Sequence, residues 1–226
     1  MNEPGWEMAT VAHSVGASPL ATDAGLRALL GLAAAIAAGQ EDALAAASRL
    51  AVAARLPAAW VDELLLQSVL MVGWPRALVA AAVWRQESGV GPDPATLEGE
   101  AALEAWVAQG VQTCRVIYGS AYERLRENVR QLHPLLDEWM VTDGYGKVLS
   151  RPGLDLGRRE LCTVAQLAVL DAPRQLYSHI RGAVHAGASA EVVEAALEAA
   201  EPHSTPEAVA SARATWGELQ RSRSAT

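Results

Sequence analysis

The distribution of apolar residues along the chain constrains its fold more than any other sequence feature. Alanine and leucine dominate, and apolar residues recur at helical spacing in segments such as AAWVDELLLQSVLMV, residues 58–72. Val, Ile and Thr form no alternating runs of the kind that half-buried strands require. Pro57, Pro75 and Pro206 stand where helices can begin, since proline fits the first helical turn. The pattern therefore predicts an all-α protein.

Spacing of Glu, Pro and Trp indicates an internal repeat. Glu63 is followed twelve residues later by Pro75, and Glu194 is followed twelve residues later by Pro206. Each copy closes near a tryptophan, so that the offset between the copies is 131 or 132 residues. We expect tandem helical repeats with a shortened first copy. Chance agreement between alanine-rich helices is the alternative.

Composition divides the chain into four predicted segments. Residues 1–20 read as a disordered tail, and residues 21–86 as a degenerate N-terminal helical repeat. Residues 87–100 are rich in Gly, Pro and acids and predict a linker. Residues 101–226 form the predicted C-terminal domain. Within it, TDGYGKVLSRPGLDLG, residues 142–157, predicts a long glycine-rich loop.

The charge and cysteine content limit the classes of partner and compartment. A net charge of −8 argues against nucleic acid, because phosphate binding needs a basic surface. The apolar run Ala28–Ala38 is about half a membrane span, so no membrane partner is expected. The first twenty residues lack the basic and apolar regions of a signal peptide. With only Cys114 and Cys162, the chain fits a reducing cytoplasm.

The segment RELCTVAQLAVLDAPRQLYSH, residues 159–179, places polar residues on two otherwise apolar helices. A short Asp-Ala-Pro connection makes these helices antiparallel neighbours. Helical periodicity puts Gln175 and His179 on one face of the second helix, and Glu160 near the start of the first. A carboxylate beside an imidazole is a competent proton-transfer unit. We predict that Glu160 and His179 lie close together.

A purely structural interpretation of these residues remains open from the sequence. Glu160 lies where a carboxylate favours a helix N-terminus, and His179 could be a partly buried histidine with a local partner. On the repeat offset, His179 falls on Ser48 or Ala47, so the first copy lacks the polar pair. A metal site is not expected, because no second histidine is placed on that face.

Arginines crowd around this region in a chain that is otherwise acidic. Solvated side chains are the default explanation for them. One or two beside a Glu/His cleft would suit a carboxylate substrate, since a guanidinium binds it through two hydrogen bonds. The four arginines concerned are Arg151, Arg158, Arg159 and Arg181.

The motifs of this region resemble those of the carboxymuconolactone decarboxylase family, which includes the alkylhydroperoxidase D proteins. The signature comprises YGKVLSRPGLDLGRREL, then QLYSH, then HAGAS before EVVEAAL. Matching pieces extend upstream to VIYGSAYERL and downstream to Trp216, so that the resemblance covers roughly residues 105–218. ELLLQSVLMVGWPRAL resembles the closing helices of a second, shorter copy.

The resemblance implies an all-helical fold and a decarboxylase or related lyase that needs no cofactor. Its substrate would be a small acidic lactone or keto acid, whose carboxylate departs while electrons flow into a conjugated carbonyl. His179 would then be the proton donor to carbon and Glu160 its orienting partner. The resemblance further implies that the substrate contacts Gln175 as an enolate donor, Arg151 or Arg159 as anion clamp, and Tyr145 in the signature loop.

Two other functions stay open at this stage. The hydroperoxidase branch carries two cysteines twelve and fifteen residues after the glutamate, where this chain has Ala172 and Gln175. A thiol-dependent antioxidant would therefore have to use Cys114 and Cys162, and we predict no dithiol peroxidase cycle. The remaining alternative is a non-catalytic assembly protein. Single-copy relatives resemble ring-shaped trimers or hexamers, so a homo-oligomer, most simply a trimer, is expected.

Overall fold

The computed structural model describes residues 24–91 and 103–224, and every regular element in these ranges is helical. The all-α prediction is thus confirmed. The predicted tail, residues 1–20, and most of the predicted linker lie outside the described residues. The helices are α1 (Ala24–Ala38), α2 (Glu41–Ala53), α3 (Ala58–Ser88), α4 (Leu103–Tyr118), α5 (Tyr122–Leu132), α6 (Pro134–Trp139), a π-helical segment (Met140–Val148), α7 (Leu156–Val169), α8 (Pro173–His185), α9 (Ala190–Ala200) and α10 (Pro206–Ser224).

Helix α3 bends sharply where the sequence predicts a break. Gly73 has non-helical backbone angles (φ 71°, ψ 172°), and Pro75 begins the second half. By length and composition α3 is also apolar enough to cross a membrane. However, its Glu63 is buried against Arg159 of α7, which makes this part of α3 a core helix of the folded chain.

The repeat has a constant register of 132 residues. Two backbone positions in the left-handed region support it, because Gly39 (φ 73°) corresponds to Asp171 (φ 49°) and Arg55 (φ 54°) to Gly187 (φ 95°). The first three helices of each copy also begin 132 residues apart, at Ala24 and Leu156, Glu41 and Pro173, and Ala58 and Ala190.

This register fixes the counterparts of the polar residues. Ala47 takes the place of His179, and Ala28 that of Glu160. The sequence-based pairing of Glu63 with Glu194 is off by one residue. On the observed register Glu194 corresponds to Asp62, and Glu63 corresponds to Ala195.

The two copies share one hydrophobic core. Helices α1 and α7 lie against each other at its centre, and α9 packs against both of them. α1 is buried almost continuously from Leu26 to Ala37, because it contacts helices of both copies. α7 is likewise buried from Arg159 to Ala168, and this burial extends to its polar side chains. The site residue on α7 is therefore held by contacts on all sides.

Residues 140–148 correct the loop prediction for residues 142–157. Met140–Val148 is a π-helix packed on α4, and only residues 149–155 connect it to α7. The glycines serve close helix packing, because a Cβ on Gly146 would lie 2.1 Å from the Trp106 carbonyl oxygen. A Cβ on Gly110 would lie 2.0 Å from that of Val141. This contact brings Tyr145 into a second, smaller core cluster with Cys114 and Ile117.

Candidate active site

Glu160 and His179 are in direct contact on the adjacent helices α7 and α8. His179 Nδ1 lies 2.9 Å from Glu160 Oε2. The Glu160 side chain is fully buried, whereas 10% of the His179 side chain is exposed. The predicted proximity is therefore confirmed. Glu160 does not cap its helix, because Asp155 does so by accepting the Arg158 backbone N–H at 3.0 Å.

Gly182, one turn after His179, leaves the space that Glu160 occupies. A Cβ at this position would lie 2.4 Å from Glu160 Oε2 and 2.7 Å from Ile117 Cγ2. The other carboxylate oxygen, Glu160 Oε1, is buried and has no hydrogen-bond partner within the described ranges. Such atoms are uncommon in folded proteins. Glu160 thus orients His179 through one oxygen and keeps the second available as an acceptor.

A pair of tyrosines adjoins this acid–base pair. The hydroxyl groups of Tyr118 on α4 and Tyr145 on the π-helix lie 2.7 Å apart, with the rings edge to face. Burial raises the pKa of both phenols above the ordinary value, and the Glu160 carboxylate adds to this effect. Both hydroxyls therefore stay protonated near neutral pH and can donate hydrogen bonds.

An open cleft of about 210 Å³ lies between α5 and α8. Ile117 and Tyr118 form part of its wall, so the cleft adjoins the residues that contact Glu160 and Tyr145. Arg124 and Arg181 also line it, one on each of these two helices. The cleft is the place where a small molecule can approach the acid–base pair from solvent.

The structure places the predicted anion clamp elsewhere. Arg159 is fully buried, and its Nη2 donates to Glu63 Oε2 at 2.7 Å. Its remaining N–H groups meet the Leu154 carbonyl oxygen, Gln67 and the Arg151 carbonyl oxygen, which leaves no donor for a substrate. Arg151 is partly exposed and also binds Glu63, through Nε and Nη2. Both arginines therefore join the two copies instead of facing His179.

Gln175 is exposed in the first turn of α8 and makes no hydrogen bond to the Glu160–His179 pair. Two residues lie between it and the nearest cleft-lining residue of α8 upstream of His179, Ser178. Because α8 begins only at Pro173, the amide stands at the solvent end of the helix. Tyr118, which the sequence signature contains but which we did not single out, offers a hydroxyl much closer to the acid–base pair.

Both cysteines are free and fully buried in separate clusters. Burial raises the pKa of the Cys114 thiol and that of the Cys162 thiol to about 12. A thiol with such a pKa carries almost no thiolate at neutral pH, and the thiolate is the reactive form.

No group of three or more His, Cys, Asp or Glu side chains arranged to hold a metal ion occurs in residues 24–91 and 103–224. The expectation that the site works without metal or cofactor stays a prediction.

Comparison with known families identifies the repeat. The model described as Carboxymuconolactone decarboxylase family matches two segments, residues 7–86 and 135–216, which together exceed half of the chain. The two segments contain the first copy and the second copy, so the predicted tandem arrangement is confirmed. The search of curated proteins gave no match. Helices α4 and α5, which line the cleft, fall between the two matched segments.

Proposed function

This chain belongs to the carboxymuconolactone decarboxylase family, and on that premise we propose that it is a cofactor-free decarboxylase or related lyase acting on a small acidic lactone or keto acid. The observation that carries this proposal is the buried contact between Glu160 Oε2 and His179 Nδ1, at 2.9 Å. An apolar core holds such a pair only where its geometry is fixed, and the exposed edge of His179 faces a route to solvent.

Glu160 determines which nitrogen of His179 exchanges the proton. The carboxylate accepts the Nδ1–H, so that Nε2 is the atom that takes up or gives a proton. The same arrangement stabilises the imidazolium that forms when Nε2 is protonated. His179 thereby acts as the general acid toward carbon, with Glu160 as its positioning residue.

In the proposed step, the bond between the substrate carboxylate and the adjacent carbon breaks and carbon dioxide leaves. The electron pair of that bond moves into a conjugated carbonyl and gives an enolate. The imidazolium Nε2–H of His179 then protonates the carbon, and solvent returns the proton to the ring. A hydroxyl of the Tyr118–Tyr145 pair donates a hydrogen bond to the enolate oxygen, a role to which fixed donors contribute strongly.

Turnover of acidic unsaturated lactones and keto acids tests the proposal. Glu160→Gln and His179→Asn are each expected to lower kcat by ~10²–10⁴-fold, the usual contribution of acid–base catalysis. His203→Asn, in the turn between α9 and α10, is the matched control and should retain activity. Full activity in either site variant removes that residue from the mechanism. If the folded wild type turns over no compound of the panel, the non-catalytic alternative takes its place.

The thiol-dependent alternative is tested separately. Peroxide-dependent turnover with a dithiol reductant is expected to be absent, because both thiols are buried and have a pKa raised to about 12. The comparison is between the wild type and a Cys114→Ser/Cys162→Ser variant. Turnover in the wild type that disappears in the variant would establish the antioxidant function instead.

A further inference from the structure

The cleft beside the acid–base pair is positively charged although the protein is acidic. Arg124 lines it from α5 and Arg181 from α8, and no Asp or Glu is among the residues of its wall. The whole chain carries a net charge of −8. A local positive cleft on an acidic protein focuses the field toward one spot and raises the local concentration of small anions.

Ion pairing distinguishes these two arginines from the others near the site. Arg151 and Arg159 bind Glu63, and Arg158 binds Asp155. In the described part of the chain neither Arg124 nor Arg181 forms an ion pair or a side-chain hydrogen bond. Their guanidinium groups are therefore available to a ligand, unlike those of the three paired arginines.

The remaining wall of the cleft suits a compact polar ligand. Asn128, Tyr177 and Ser178 supply neutral hydrogen-bonding groups beside the two guanidinium groups. At the inner side, Tyr118 carries the hydroxyl that binds Tyr145 at 2.7 Å. The volume of about 210 Å³ lies below the ~300–1,000 Å³ of pockets for drug-sized ligands, so the occupant is small.

We propose that Arg124 and Arg181 are the specificity-determining residues of this site and that they bind a carboxylate of the substrate other than the one that reacts. This proposal rests on the proposed function. The arginines hold the spectator carboxylate at the open side of the cleft, and the reacting end of the same molecule points inward to Tyr118 and His179. The ligand class is a small organic acid with two carboxylates, because one group serves as the anchor and the other is lost.

Binding measured by isothermal titration calorimetry tests the proposal with malonate, succinate and glutarate as probes and propionate as the single-carboxylate comparison. The wild type is expected to bind at least one dicarboxylate more tightly than propionate. Arg124→Gln and Arg181→Gln should each weaken that binding about tenfold or more, as the loss of a charge-assisted hydrogen bond does. Arg124→Lys and Arg181→Lys should recover part of the affinity, because they keep the charge but lose the forked geometry.

Arg174→Gln is the matched control, since Arg174 lies on the same helix α8 outside the wall of the cleft. It should leave the affinity within about twofold. Equal weakening by all three glutamine variants would show a general charge effect and overturn the proposal, as would absence of dicarboxylate binding to the wild type. Glu160→Gln separates this proposal from the proposed function, because it should abolish turnover and leave dicarboxylate affinity unchanged.

Discussion

The two copies meet across two interfaces that the repeat relates to each other, and these interfaces differ in chemistry. Helix α7 packs on α3, and its counterpart α1 packs on α9. The first interface is polar and the second consists largely of small apolar residues. On α3 and α9 the corresponding residues are Glu63, Gln67 and Ser68 against Ala195, Ala199 and Ala200. On α7 and α1 they are Arg159, Thr163 and Gln166 against Arg27, Gly31 and Ala34.

The polar interface is connected by buried hydrogen bonds. Arg159 donates to Glu63 at 2.7 Å, and the Gln67 amide donates to the Arg159 carbonyl oxygen at 3.1 Å. One turn further along α7, Gln166 donates to Ser68 at 2.7 Å. All these contacts hold the face of α7 next to Glu160. The copy that lacks the Glu/His pair has thus become the support of the helix that carries it.

Removing the charge of Glu63 should have the largest effect on stability. Glu63→Gln leaves the buried Arg159 guanidinium without its counter-charge, and breaking a buried pair in this way costs about 3–5 kcal/mol. Urea denaturation measures the loss. Glu201→Gln, which breaks the half-exposed pair with Arg213, is the control and should cost less than about 1 kcal/mol.

A double variant sharpens the same comparison. Glu63→Met combined with Arg159→Met makes the α3–α7 interface apolar, as the α1–α9 interface already is. Replacing both members of a buried pair by apolar residues of similar size is often neutral, so most of the stability should return. A double variant as unstable as Glu63→Gln would mean that the surrounding hydrogen bonds, more than the ion pair, stabilise this interface.

Gly182→Ala tests the contact between the two helices of the site. The added methyl group would overlap Glu160 Oε2 and Ile117, and such overpacking costs about 1–3 kcal/mol. It should also lower turnover, because Glu160 must move away from His179. The corresponding residue of the first copy is Leu50, which is 66% exposed, and Leu50→Ala should change stability by only about 0.5 kcal/mol. Unchanged turnover in Gly182→Ala would show that the observed Glu160–His179 distance is not required.

The helices and the Glu160–His179 contact could be predicted from the sequence because both depend on local geometry. Helical periodicity placed the two side chains on facing surfaces, and a three-residue connection brought the helices together. The bend at Gly73 was equally local. Repeat register was harder, because alanine-rich helices align almost as well at 131 residues as at 132.

Contacts distant in sequence could not be predicted in this way. The partner of Arg159 is Glu63, 96 residues away, and the sequence alone gave no reason to prefer it over a substrate. Arg124 and Tyr118 reach the site from α5 and α4, helices that carry no polar motif of their own. The glycines of residues 142–157 were interpreted as loop residues, although Gly146 permits a helix–helix contact with Trp106. Such assignments require tertiary structure.

The smallest expected effect concerns the tryptophan that closes each copy. Trp216 Nε1 donates to Glu194 Oε1 at 3.2 Å, whereas Trp84 Nε1 is buried without an acceptor among the described residues. The reason lies in Asp62, the counterpart of Glu194, because Arg85 of the first copy binds it at 2.6 Å. The first copy thus has the same acid and the same indole, but the acid has another partner.

Phenylalanine substitutions at the two positions isolate this hydrogen bond. Trp84 and Trp216 are equally buried, at 2% and 3% exposure, so the loss of apolar contact is similar in both variants. Trp216→Phe should therefore cost about 1 kcal/mol more than Trp84→Phe, the usual net value of one hydrogen bond. Urea denaturation followed by the remaining tryptophans measures both. In an Arg85→Gln background Asp62 becomes available, and Trp84→Phe should then cost as much as Trp216→Phe. Equal costs already in the parent chain would show that Trp84 Nε1 has an acceptor in solution, such as a buried water, and that the two copies are alike at this position.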